Sequence, residues 1–242
     1  MDEIAESEPM QPIKLSIIVP IYNEAPSIDL VLKKIKNAYL PPNIIKEIII
    51  INDGSTDGTR EMLKKYTADT EMRIFNQDKN RGKTQAVRFG MERSSGDLIL
   101  IQDADLEYDP EDYHLLLEPF VEQKAAVVYG SRFKGKIKKM PLVNRIANVV
   151  SNITLRLLFE TEITDVHTCY KVFRKEVFKD IEITSANFTF ESEITAKLLK
   201  KGYKIYEVPI GYVARSRREG KKITWPKALE LYWGIIKYRL KD

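Results

Sequence analysis

The chain has few of the residues that announce several common chemistries. Its 242 residues include one cysteine, Cys169, and two histidines, His114 and His167. A single thiol excludes a disulfide framework and fits a reducing compartment. The histidines are far apart and have no Cys or His neighbours at ligand spacing, which argues against a zinc site. His114 is expected on a helix surface, and His167, in a polar turn, is a candidate to line a cleft. No Gly-x-Gly-x-x-Gly follows a strand pattern, so a nicotinamide site is not expected. A Gly-x₄-Gly-Lys-Ser/Thr loop is also missing, which excludes a phosphate-loop ATPase. Any nucleotide phosphates must be held another way. No apolar run reaches the roughly 18 residues of a spanning helix. The opening Met-Asp-Glu-Ile-Ala-Glu-Ser-Glu is acidic and lacks the apolar centre of a secretion signal. A cytoplasmic protein is expected.

What is present is an ordinary globular composition, 43% hydrophobic and 31% charged, long enough for one large α/β domain. The net charge is only +4, but it is unevenly placed. Arg132, Lys134, Lys136, Lys138, Lys139 and Arg145 form a block without an acid, and Arg215 to Asp242 holds nine Lys or Arg against three acids. This asymmetry points to a polyanionic partner: phosphates, anionic lipid or nucleic acid.

Hydrophobic periodicity alternates strands with helices. Strands are expected at 14–20, 46–52, 72–76, 97–102 and 125–129. Helices are expected from Pro26 to Tyr39, from the turn after Asp57 to Tyr66, and at 82–93 and 110–123. Residues 1–13 read as a disordered tail. The pattern predicts a parallel sheet covered on both faces, with ligands at the carboxyl ends of its strands. Those ends carry Tyr22-Asn-Glu24, Asp53 and Asp57, Asp103-Ala104-Asp105-Leu-Glu107, and Ser131-Arg132. The most informative of them is Leu98 to Glu107, an apolar run closing in three carboxylates at alternate positions. In an extended chain those side chains share a face. Three hard oxygen ligands there suit Mg²⁺ or Mn²⁺ held together with a substrate phosphate.

The second half is less regular. An amphipathic helix is expected at 141–159, with Ile146, Val149, Val150, Ile153, Leu157 and Leu158 on one side. A polar turn at 164–168, a strand at 169–173, a helix at 190–200 and a strand at 203–208 follow. The last helix, 224–240, is apolar over most of its circumference, with Trp225, Tyr232, Trp233 and Tyr238. Such helices fit a membrane interface, or the last one packs on the protein's own core. Glu191 and Glu193 are either cleft carboxylates or helix-capping acids. Asn152-Ile-Thr and Asn187-Phe-Thr match a glycosylation pattern by chance.

Four motifs occur in order: Val19-Pro-Ile-Tyr-Asn-Glu24, Asn52-Asp-Gly-Ser-Thr-Asp-Gly-Thr59, Asn80-Arg-Gly-Lys83 and Asp103-Ala-Asp-Leu-Glu107. Together they resemble the family-2 glycosyltransferases of the nucleotide-sugar-dependent GT-A fold. Gly130-Ser-Arg-Phe133, Thr164-Asp-Val-His-Thr-Cys-Tyr-Lys-Val-Phe173, Phe190-Glu-Ser-Glu193 and Arg215-x₃-Glu-Gly-Lys-Lys222 resemble its polyprenyl-phosphate branch, which contains dolichol-phosphate mannose synthase and lipid-phosphate glucosyltransferases. The resemblance runs from about Leu15 to Trp225.

It implies a single Rossmann-like GT-A domain at 14–223, a mostly parallel central sheet, and an amphipathic C-terminal helix at 224–242. Pro20, Tyr22 and Glu24 would line the nucleoside pocket. Asp53 would accept hydrogen bonds from the base, with Lys83 near the nucleotide and Ala104 beside the donor. Asp103 and Asp105 would hold the metal on the donor diphosphate, with Glu107 a further ligand. Arg132 and Arg145 would grip the acceptor phosphate, and Arg215 and Lys222 would neutralise the leaving diphosphate.

The implied reaction is inverting transfer of a hexose to a polyprenyl phosphate at the cytoplasmic membrane face. GDP-mannose is the favoured donor; UDP-glucose, or a glycan acceptor, is the alternative. Docking would be peripheral, or through a small membrane-protein partner. The chain departs from dolichol-phosphate mannose synthases at Glu107, where Gln is frequent, and in its longer Arg215 loop. A sugar nucleotidyltransferase is disfavoured, because Pro20-Ile-Tyr-Asn-Glu stands where its Gly-rich, Arg-containing loop would be. A non-catalytic basic module binding nucleic acid or lipid is disfavoured because acids at the binding edge repel phosphates unless a metal intervenes.

Overall fold

The structure, a computed structural model, describes residues 11–122, 124–179, 181–185, 189–215 and 225–241, with the backbone alone at 225–228. The expected tail lies outside these residues except for its last three, of which Ile13 already begins a strand.

Seven strands make one sheet: β1 (Ile13–Ile21), β2 (Ile44–Asn52), β3 (Met72–Asn76), β4 (Leu98–Ile101), β5 (Val127–Lys138), β6 (Lys171–Arg174) and β7 (Ile205–Val213). Among the described residues seven helices accompany it: α1 (Ala25–Asn37), α2 (Thr59–Leu63), α3 (Lys83–Arg93), α4 (Tyr113–Val121), α5 (Leu142–Phe159), α6 (Phe190–Lys200) and α7 (Trp225–Leu240). Short 3₁₀ turns at Lys64–Tyr66, Pro110–Asp112 and Lys175–Lys179 extend or link them. The strand order is β3-β2-β1-β4-β6-β5-β7.

β1 pairs in parallel with β2 and β4, and β2 in parallel with β3. β6 runs antiparallel between β4 and β5. The sheet is therefore mostly parallel, as expected, with one reversed strand.

The central strands are apolar on both faces because both faces are covered. Leu15, Ile17 and Val19 of β1, with Ile48 and Ile50 of β2, meet α1 and α4 through Ile28, Leu32, Leu116 and Phe120. Ile49 and Ile51 point the other way, onto Ala86 of α3. This is the two-residue alternation of a strand between two layers. Helix α3 lies so close to β1 that a Cβ on Gly90 would come within 2.5 Å of Ile18 Cγ2. A second cluster joins β5 and β6 to α6 through Val127, Phe173, Ile194 and Leu198.

Two strands run beyond their expected ends: β5 past residue 129, and β7 past residue 208 to Val213. β5 continues beyond residue 129 to Lys138, and its outer half alternates half-buried Phe133, Gly135 and Ile137 with exposed Lys134, Lys136 and Lys138. Three of the six residues of the basic block, Lys134, Lys136 and Lys138, thus share one exposed face of a strand. In α5 the residues turned inward are Ser151, Asn152 and Leu155. Leu142, Val143, Ile146, Val149, Val150, Ile153 and Leu157 are 39% to 78% exposed. Helix α7 buries Leu231, Ile235 and Tyr238 and exposes Leu229, Trp233 and Leu240. No helix among the described residues is long and apolar enough to cross a membrane.

Candidate active site

The carboxyl ends of β1, β2 and β4 form an acidic cleft. After β1 and β2 the two loops are laced together. Asn23, at φ 52°, donates its N–H to Ser55 Oγ and accepts Thr56 N–H at Oδ1. Asp57 accepts the N–H of Ala25 and both the N–H and hydroxyl of Thr59. Asp57 is thus a structural tie between the loops. Pro20 and Tyr22 lie on this edge, with Tyr22 37% exposed. Asp53, nearly fully buried, accepts Arg81 N–H at Oδ1 and Gly82 N–H at Oδ2, both at 2.8 Å. It therefore shapes the loop that delivers Lys83 at the start of α3. Gly54, at φ +67°, is required beneath that loop: a Cβ there would meet the Lys79 carbonyl carbon at 2.5 Å.

Lys83 joins three elements. Its Nζ is 2.7 Å from Asp103 Oδ1, 3.1 Å from Glu191 Oε1 and 3.2 Å from Cys169 Sγ. Burial opposes its charge, but Asp103, then Cys169 and Glu191, raise its pKa. Asp103 is correspondingly held below its usual range by Lys83 against the effect of burial. Ala104 carbonyl accepts the Ser27 hydroxyl, which also donates to Glu24 Oε2. Asp105 is pushed up to about 7 by burial and by the neighbouring Asp103 charge. Arg215 spans the cleft: Nη2 is 2.7 Å from Asp105 Oδ2 and Nη1 is 3.0 Å from Glu24 Oε2.

Asp103, Asp105 and Glu107 all lie in the turn beyond β4, so alternation along a strand does not arrange them. β4 ends at Ile101, and the Glu107 N–H bonds back to Asp105 Oδ1, so the chain is turning at this point. Glu107 Oε1 accepts Arg215 N–H at 2.7 Å and Oε2 accepts the Tyr212 hydroxyl at 2.9 Å. Among the described residues, no group of three His, Cys, Asp or Glu is arranged to hold a metal.

The donor set still fits a divalent ion. Among the described residues, Asp103 and Glu191 meet Lys83, Glu24 and Asp105 meet the Arg215 guanidinium, and Glu107 accepts the Arg215 N–H. Two hard oxygen donors suffice for an ion that takes its other ligands from a diphosphate and water.

Across the cleft, Arg132 is nine-tenths buried. Its Nε and backbone N–H donate to Asp165 Oδ2, at 2.7 and 2.9 Å, and its Nη2 to Asp165 Oδ1 at 2.7 Å and Asn148 Oδ1 at 3.0 Å. Burial opposes the guanidinium charge and Asp165 outweighs it, raising the pKa. Asp165 is itself held by the turn. Glu207 accepts the N–H of Asp165 and of Thr164, and Asn152 grips the Thr164 carbonyl and the Val166 N–H. Helix α5 is thereby tied to Arg132 through Asn148 and to the turn through Asn152. Asn152 is buried in this contact, which removes it as a glycan acceptor; Asn187 lies outside the described residues. Arg145 is exposed on the first turns of α5.

Lys222 lies outside the described residues. His114 is exposed, as expected. Among the described residues the buried nitrogens of His167 have no partner, and burial, then Lys171 and Arg132, push its pKa down to about 3. Glu191 is a cleft carboxylate. Glu193 is structural, accepting the N–H groups of Thr184 and Ser185. Sequence reasoning assigned no role to Asp165, Asn148, Tyr212 or Glu207. The only local signal was the polarity of the Thr164-Asp165 turn.

The seven-stranded, mostly parallel sheet covered by helices is of the GT-A class. The fold matches glucosyl-3-phosphoglycerate synthase of Mycobacterium tuberculosis, crystallised with Mn²⁺, UDP and glucosyl-3-phosphoglycerate. The TM-score is 0.72 and the identity 16%, over 93% of this chain and 78% of that one. The model of the family described as glycosyl transferase family 2 matches residues 16–182, and the chain belongs to that family. It is 31% identical over 216 residues to a dolichol-phosphate mannosyltransferase of Pyrococcus furiosus. That match covers 86% of this chain but only 59% of the length of the relative. It is 26% identical over 233 residues to a polyprenol monophosphomannose synthase of Mycolicibacterium smegmatis, covering 90% and 86% of the two chains.

Proposed function

We propose that this chain transfers a hexose from a nucleotide sugar, GDP-mannose in the first instance, to a polyprenyl phosphate, with inversion, while docked on the cytoplasmic face of a membrane. One observation carries the lipid acceptor. Helix α5 exposes an apolar stripe to solvent and, through Asn148, holds the buried Arg132 beside the cleft. A lipid-seeking surface and a phosphate-seeking cation are thus one mechanical unit. The names of the two relatives agree with such an acceptor.

On this reading Asp103 and Asp105 would hold Mg²⁺ or Mn²⁺, which, when bound, would stabilise charge on the donor diphosphate. Glu107 serves better where it stands, anchoring Arg215 N–H. Pro20, Tyr22 and Asp53 flank the nucleoside, and Asp53 keeps lone pairs for a base while holding the Lys83 loop. Arg215, with Lys222, offers its guanidinium to the leaving diphosphate. Arg132, fixed on three nitrogens, presents Nη1 to the acceptor phosphate, and Arg145 adds charge at the membrane side. An acceptor phosphate is already ionised at neutral pH, so no general base is required. This matches a cleft whose one nearby histidine is held neutral.

The test is transfer of labelled sugar into an organic-extractable lipid by purified protein, with GDP-mannose and UDP-glucose offered separately. Label from UDP-glucose alone would move the reading to a lipid-phosphate glucosyltransferase. Label only in a glycan would move the acceptor.

A further inference from the structure

We infer that the exposed lysine face of β5 forms, with the apolar stripe of α5, one docking surface that selects bilayers carrying anionic phospholipid. The inference rests on the reading above, in which the chain works while docked on a membrane, and adds the headgroup chemistry that the membrane must present.

The stretch from Arg132 to Phe159 holds seven Lys or Arg and no Asp or Glu. Two of the seven have counter-ions: Arg132 meets Asp165, and Lys134 Nζ lies 3.2 Å from Glu207 Oε2. Lys136, Lys138, Lys139, Arg145 and Arg156 are exposed, and none of them has an ion pair among the described residues. The surface beside α1 and α2 is built differently. There Lys33 and Lys65 meet Asp29, Lys34 meets Asp109, Lys36 meets Asp69 and Lys64 meets Glu61.

The fold places the unpaired cations on the side of α5. Ile137 packs into the core beneath α1 and α4, so Lys136 and Lys138 point to the opposite face of the sheet. Lys134 shares that face. Its partner Glu207 also accepts the N–H groups of Thr164 and Asp165, in the turn that Asn152 of α5 holds. Lys139-Met140-Pro141 then leads from the strand into Leu142, Val143 and Ile146, the exposed start of the stripe. Lys139 stands at φ 59°, a left-handed conformation in which Gly or Asn is less strained, so the connection keeps a charge there against local preference. Along the helix, Arg145 and Arg156 are eleven residues apart, about three turns, and line one border of the stripe.

Two unsatisfied features thus adjoin, and one occupant answers both. A nucleic acid or an acidic protein would pair the cations and leave the stripe in water. A neutral bilayer would cover the stripe and leave the cations without counter-ions. An anionic bilayer takes the stripe at the level of its acyl chains and the lysines at its headgroups.

The test is co-sedimentation of the purified full chain with vesicles that lack polyprenyl phosphate, made of phosphatidylcholine alone or mixed with phosphatidylglycerol, at low and high salt. Each Lys near a negative surface strengthens binding about fivefold. Wild-type protein is therefore expected to bind the anionic vesicles about 100-fold more tightly at low salt, and to lose most of that preference at high salt. Lys136→Gln/Lys138→Gln/Lys139→Gln is expected to lose most of the preference, to bind neutral vesicles as wild type does, and to melt at the wild-type temperature. Lys33→Gln/Lys64→Gln/Lys65→Gln makes the same charge change beside α1 and α2 and stays within about twofold of wild type.

Equal binding to the two vesicles, or a preference that survives in the first triple variant, overturns the inference and leaves membrane docking standing. So does a second triple variant that loses as much as the first, since the effect is then one of net charge. Tighter binding to a short DNA duplex than to anionic vesicles, lost in the first variant, gives the face to nucleic acid instead. Binding to neither vesicle removes the inference and the membrane reading together.

Discussion

Asp165→Ala tests whether Arg132 is held by its own counter-ion. The substitution deletes three hydrogen bonds of 2.7–2.9 Å and the carboxylate that neutralises a guanidinium only 6% exposed. Removing one partner of a buried ion pair costs about 3–5 kcal/mol, most of it from the charge left behind. Asn148 keeps one bond to Nη2, so the lower figure applies, about 3 kcal/mol. For a domain of this size that lowers Tm by about 6–12 °C. Asp165→Asn retains an acceptor oxygen and is expected to lose roughly half as much. Urea unfolding and a thermal melt read the stability. Kinetics with varied polyprenyl phosphate read the function: KM for the acceptor rises while affinity for the nucleoside diphosphate stays within about twofold, because Asp165 touches only the far wall. A loss below about 1 kcal/mol with an unchanged acceptor KM would refute the argument, since that is the size of a solvent-screened pair.

Four further outcomes are expected. Asp105→Asn abolishes transfer while the thermal melt stays at or above the wild-type value, because one of two crowded buried carboxylates is gone; transfer at wild-type rate would remove Asp105 from the site. Ile146→Ser/Ile153→Ser weakens co-sedimentation with lipid vesicles by about tenfold without lowering Tm, since both side chains are half exposed; unchanged vesicle binding would place the membrane surface elsewhere. Gly54→Ala destabilises by about 1–3 kcal/mol and lowers donor affinity by displacing the loop that carries Lys83, checked by urea titration and nucleotide binding.

Glu193 is held down to about 2, against burial, by Lys197 and by the Thr184 and Ser185 groups, from an ordinary value of 4.5. Its contribution is therefore complete above about 4.5 and is lost as pH falls toward 2. Glu193→Gln should flatten the stability profile in that window, and an unchanged acid slope would count against it.

Much of the donor half was legible because its signals are local. Strands β1, β2 and β4 are continuous apolar runs that end in Glu24, Asp53 and Asp103, and a parallel sheet brings those ends to one edge. The direction of β6 was not legible. Four residues cannot report whether a strand runs up or down, because that depends on how α5 and the turn return the chain. Lys134, Lys136 and Lys138 looked like a charged block, although their spacing of two was the strand signal. Strand alternation does not arrange Asp103, Asp105 and Glu107, because β4 stops at Ile101 and all three lie in the turn beyond it. Asp165 was out of reach for another reason. Its partner Arg132 lies 33 residues earlier, and no periodicity links the two. The apolar stripe of α5 was correctly located, but only the fold shows that it faces solvent while Ser151 and Asn152 face inward.

The central claim is a sugar transfer from nucleotide to lipid phosphate, and the most direct measurement is of that transfer. Purified chain, a polyprenyl phosphate, Mn²⁺ or Mg²⁺ and labelled GDP-mannose should move label into the organic phase, and chelation of the metal or Asp105→Asn should stop it. Donor cleavage or binding with no lipid-borne label, from GDP-mannose or from UDP-glucose, would contradict the account.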